Sequence, residues 1–88
     1  MSAPVISYVP FEELIASLRD DGLRNEAGRI HYLLHEVAWT TGSELLGELG
    51  QEMKKLEQER GVGFSAGTRD KIDAAFEMVS RVWPDFPR

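Results

Sequence analysis

The side chains best spaced for chemistry in this sequence are His31 and His35. Four residues apart on a helix, two imidazoles share a face and can bind one metal ion. The helical metalloprotease signature places Glu directly after the first histidine, where this chain has Tyr32. The inverted signature needs Glu directly before the second histidine, where Leu34 stands. A site outside those motifs would need a third ligand, and Asp70, Asp73 and Glu77 are the candidates. Without one, the pair is expected to be half-buried or interfacial. Carboxylate acid–base chemistry requires one acid raised by burial. Glu12, Glu13, Asp20, Asp21, Glu48, Glu52 and Glu59 fall on predicted solvent faces. Glu36 is the exception, expected as a buried or interfacial hydrogen-bonded carboxylate among apolar neighbours.

Two serines also need weighing. Gly63-Phe64-Ser65-Ala66-Gly67 spells G-x-S-x-G, the string that exposes a nucleophilic serine on a strand-to-helix turn in α/β hydrolases. Here a charged helical pattern precedes it, and both histidines come before the serine rather than after it. Ser65 is therefore expected to cap a helix. Thr41-Gly42-Ser43-Glu44-Leu45 opens another helix in a small acidic chain, as the Asp-Ser-Leu motif does in acyl carrier proteins. The Asp and the adjacent Leu are missing, so only general shape is shared and Ser43 is assigned to the helix cap. No Gly-rich stretch leads into Lys-Ser or Lys-Thr, so a phosphate-cradling loop is not expected. The site expectation is accordingly no catalytic residue, no cofactor and no metal.

Composition narrows the classes further. The 88 residues contain 10 basic and 15 acidic side chains, a net charge of -5, and no cysteine. Disulfide scaffolds, thiol catalysis and Cys-based zinc sites are excluded. Residues 11–60 hold eleven acids against six bases, while residues 61–88 hold four of each. Binding to nucleic acid rests on Lys and Arg neutralising phosphates, so a nucleic-acid partner is not expected. An acidic face can instead attract a basic protein. No run approaches the roughly 18 apolar residues of a membrane span, and no basic-then-apolar leader pattern is present. The expectation is a cytoplasmic protein with no membrane partner.

The elements that must position these residues follow from hydrophobic spacing. An apolar segment, residues 1–9, is bracketed by Pro4 and Pro10 and reads as an extended N-terminal arm ahead of one helical domain, 10–88. Pro10 suits the first turn of a helix over 10–21, with Phe11, Leu14, Ile15 and Leu18 on one face and Gly22 as a left-handed stop. A second helix over 25–40 carries Ile30, Leu33, Leu34, Val37 and Ala38. A second stripe on it, His31, His35 and Trp39 flanked by Tyr32, makes it read as a central helix or one facing a partner. A third, over 42–60, carries Leu45, Leu46, Leu49, Met53 and Leu56. Gly47 and Gly50 lie inside it, where each costs on the order of 1 kcal/mol against alanine. A neighbouring backbone or a bend would explain them. A fourth, over 66–83, carries Ile72, Ala75, Phe76, Val79, Val82 and Trp83.

The fold class predicted is all-α, a compact four-helix bundle-like domain. The leading functional expectation is a non-enzymatic protein-interaction module that forms a homodimer. Its interface candidates are His31, Tyr32, His35, Trp39, Gly47 and Gly50. Two alternatives stand beside it: an acidic antitoxin- or immunity-type inhibitor of a basic protein, and a metal-binding helical enzyme using His31 and His35.

Overall fold

The computed structural model describes residues 6–88, and of the expected arm over residues 1–9 the first five lie outside them. Four helices follow in order: α1 (Val9–Asp20), α2 (Arg24–His35), α3 (Gly42–Arg60) and α4 (Ala66–Val82), with a 3-10 turn at Gly61–Gly63. No strand occurs among the described residues, and the all-α expectation holds. The helices close into a ring. Each packs against two others: α1 against α4 and α2, α3 against α2 and α4. Phe11, Leu14, Leu18, Ile30, Leu46, Leu49, Met53, Leu56, Ile72 and Val79 fill the centre. Ile6 is partly buried against this core, whereas Tyr8 and Val9 are exposed and Val9 already begins α1.

The start of α1 carries Pro10 within its first two positions and Glu12 near its positive dipole end. It ends as its glycine predicts. Gly22 has φ +82°, the left-handed region open to a residue without Cβ. The Gly22 N–H donates to Arg19 O at 3.0 Å and the Leu23 N–H to Leu18 O at 2.9 Å. Those two bonds form a Schellman closure, and Leu23 packs onto the core beside it.

The second helix departs from the spacing argument. It ends at His35 rather than near residue 40. Its N-cap is Leu23, with no side-chain bond, rather than Asn25. Val37 and Thr40 are β-branched and Trp39 is aromatic, all weaker helix formers than Leu or Glu. A specific bond also competes with helix extension. The Trp39 indole N–H donates to Leu33 O at 2.6 Å, the carbonyl that would have accepted from the Val37 N–H in a longer helix. Apolar periodicity continues through residue 38, but the backbone does not follow it. Nor is α2 central: it lies at the side of the ring, does not reach α4, and buries only Glu26, Ala27 and Ile30.

The bounds of α3 agree with the spacing. Thr41, extended at φ -139° and ψ 157°, accepts from the Glu44 N–H. Of its two glycines, Gly50 is explained by side chains of this same chain rather than by a neighbouring backbone, whereas a Cβ on Gly47 would make only ordinary contact. A Cβ on Gly50 would sit 2.7 Å from Phe86 Cζ and 3.1 Å from Val79 Cγ1, and one on Gly47 would sit 3.4 Å from the Trp83 indole nitrogen. Trp83 leaves the helical path (φ -123°, ψ 80°), as the following Pro84 favours. Residues 83–88 then run back over α3 as a strap. The Trp83 indole N–H donates to Ser43 O at 2.7 Å. Arg88 pairs with Glu57 at 3.0 Å and with Asp73, and its guanidinium lies 4.3 Å from the Phe76 ring centroid.

Candidate functional site

The six candidate residues fall into two separate places. His31 and Tyr32, on the last turns of α2, and His35 at its end belong to the first. Tyr32 is 58% exposed, on a side of α2 that no other helix covers. His31 and His35 lie one turn apart with ring centroids 4.6 Å from each other. The His35 Nε2 contacts a carboxylate oxygen of Glu12 on α1. Helix spacing therefore brought the imidazoles together as expected. The third ligands sought on α4 do not join them, since no Cα of α4 comes within 8 Å of one in α2. Asp73 is held by Arg88 and Glu77 by Arg81. Among the described residues, no group of three or more His, Asp or Glu side chains is arranged to hold a metal ion. Trp39, expected on the same stripe, has left the helix and is half-buried over its end.

Beside Tyr32 is a shallow depression of about 210 Å³ lined by Arg29, Tyr32, Leu33 and Glu52. Arg29 Nε and Glu52 Oε1 approach to 2.8 Å across it, without the alignment of a directed hydrogen bond. The buried carboxylate of the chain is nearby and is not the one expected. Glu36 is exposed at the end of α2. Glu26 instead is 9% exposed and pairs with Arg60 at 3.3 Å and Arg29 at 3.9 Å. Burial of a charge requires such partners. The long reach of Arg60, 34 residues away, left no local spacing signal to find.

Gly47 belongs to the second place, an open groove of about 450 Å³ between the first half of α3 and the strap. Gly47, Trp83, Phe86 and Pro87 supply its apolar part; Glu44, Glu48, Gln51 and Asp85 supply its polar part. Gly50, two positions beyond Glu48, is buried under Phe86 and faces no solvent. Sequence spacing placed both glycines at a surface for a partner. It missed Trp83, Asp85 and Pro87 as lining residues, because they converge only once the chain reverses after α4.

Ser65 caps α4 as its sequence context required. Its Oγ accepts from the Thr68 N–H at 3.2 Å. No imidazole is involved; its acidic neighbour is Asp21, just past the end of α1. The Asp21 Oδ2 accepts from the Ser65 N–H at 3.1 Å, from Ser65 Oγ at 3.2 Å and from Thr68 Oγ1 at 2.6 Å. These donors, Thr68 first and the Ser65 backbone next, hold the Asp21 carboxyl below its ordinary value of 3.8. The arrangement is a joint between α1 and α4. No family model, curated protein or solved structure matches the chain.

Proposed function

We propose that this chain is a non-enzymatic protein-interaction module that pairs with a second copy of itself through the open side of α2. The carrying observation is Tyr32, 58% exposed beside the Arg29–Leu33–Glu52 depression. In a two-fold pair each patch meets its own copy. The aromatic ring of one subunit then has a depression to enter on the other, with charges of both signs along its edge. Tyrosine is among the residue types that dominate interface energetics. Gly47 and Gly50 take no part in this pairing, because Gly50 lies under Phe86 of the chain's own strap and Gly47 opens on the separate groove beside that strap.

Light scattering after size exclusion, over micromolar to millimolar concentrations, tests it. A dimer at the upper end is expected, with Tyr32→Ser weakening association at least about tenfold. A monomer throughout would sink self-pairing. The second reading, an acidic inhibitor of a basic protein, is favoured by the acid-lined groove between α3 and the strap. Recovery of a basic protein in a native pull-down supports it, and recovery of this chain alone counts against it.

A further inference from the structure

The groove between α3 and the strap combines three features not found together elsewhere among the described residues. Its apolar part includes the Trp83 indole, 44% exposed and fixed in place by its bond to Ser43 O. The volume, about 450 Å³, lies at the lower end of the ~300–1,000 Å³ usual for ligand clefts. Its edge carries Glu44, Glu48 and Asp85, and none of the three has a cationic partner within 4.0 Å among the described residues. Elsewhere Glu12 is matched by His35, Glu13 by Lys71, Glu26 by Arg60, Glu52 by Arg29 and Glu57 by Arg88, while Asp20, Glu36, Glu59 and Asp70 also lack a cationic partner among the described residues but line neither depression.

We propose that this groove receives an arginine or lysine side chain from an extended basic segment of a partner protein. The charge is complementary, since three free carboxylates surround a site that offers no cation of its own. The aromatic wall is complementary too, because a guanidinium or ammonium within about 6 Å of an indole face is attracted by its quadrupole. The apolar stem of either side chain suits Phe86 and Pro87, in the way long cationic side chains lay their methylenes on apolar surface. A second copy of this chain is a poor occupant, because a two-fold contact centred here sets Glu44, Glu48 and Asp85 against themselves. The proposal rests on the interaction-module reading but not on self-pairing through α2, so either can fail alone.

The probe is a short fluorescein-labelled peptide alternating arginine and alanine, with binding read by anisotropy and by the indole N–H resonances of the full chain. Binding should weaken on adding salt, and the Trp83 signal should shift while that of Trp39 stays. The paired variant Glu48→Gln with Asp85→Asn should weaken binding roughly five- to tenfold, in line with loss of two exposed charge contacts. Asp20→Asn with Glu59→Gln removes the same charge at the far end of the bundle and should change it less than about twofold. Thermal melts of both paired variants should match the parent, which separates lost binding from lost folding. Equal weakening by the two pairs overturns the proposal, as does no binding at millimolar peptide. Spermine moving the Trp83 signal at equal or lower concentration also overturns it, since a free polycation would then be the occupant.

Discussion

Ser65 shows how one side chain that resembles a nucleophile is committed to structure. Its oxygen satisfies the Thr68 N–H, which has no partner within the first turn of α4, and also meets Asp21, while the Thr68 hydroxyl beneath is fully buried and bonds both Asp21 and Ser17. The joint has a pH dependence with a definite sign. Its hydrogen-bond donors depress the Asp21 carboxyl in the folded state, so the unfolded chain binds a proton first as pH falls. The stabilisation is complete above the unfolded value near 3.8 and is lost as pH drops through the lower folded value. Denaturant titrations of the parent and Asp21→Asn should therefore differ most at neutral pH and converge in strong acid. A constant gap from neutral to strongly acidic pH would contradict this account.

At the scale of elements, the strap turns Gly50 from a weakness in α3 into a requirement. An added Cβ must displace Phe86, so Gly50→Ala should lose about 1–3 kcal/mol by overpacking despite a better helix propensity. Paired with Phe86→Ala, the same substitution should cost much less relative to Phe86→Ala alone, the contact with Val79 Cγ1 at 3.1 Å being the one that remains, as thermal melts of the four chains would reveal. Additive losses would mean that Phe86 does not make the contact. Gly50 also marks the boundary of what spacing could tell. The bounds of α3 and α4, the Gly22 stop and the Ser65 cap were legible, because each depends on residues within a turn or two of one another. The early end of α2 was not. It depends on Trp39 reaching back six positions to Leu33 O, a bond with no trace in apolar periodicity. The α3 groove was legible only in Gly47, since the side chain facing it, Trp83, comes from beyond Val82.

For the whole molecule, the ring of helices is unevenly held. The contact of α1 with α4 combines the Asp21–Ser65–Thr68 joint, the Glu13–Lys71 pair and the faces of both helices. By contrast, α2 contributes only Ala27 and Ile30 as fully buried apolar side chains. Local opening follows such differences in buried apolar contact. Amide hydrogen exchange under native conditions should then show residues 24–35 opening at lower free energy than α1 and α4. Equal protection across all four helices would refute this ordering. A low-stability α2 that carries Tyr32 is also the element most open to being fixed by a second copy, since binding that favours one state stabilises it by mass action.

The joint between α1 and α4 has a consequence in time as well as in stability. Ser17 and Thr68 are 51 positions apart, and Asp21 and Thr68 are 47 apart. All of α2 and α3 lies between them. A bundle built only of consecutive hairpins could zip from neighbour to neighbour, whereas this ring closes through partners remote along the chain. Closure of so long a loop loses entropy before the contact returns any energy, and folding slows as the mean separation of contacting residues grows. The interface that ties the first helix to the last is therefore the one that refolding must wait for.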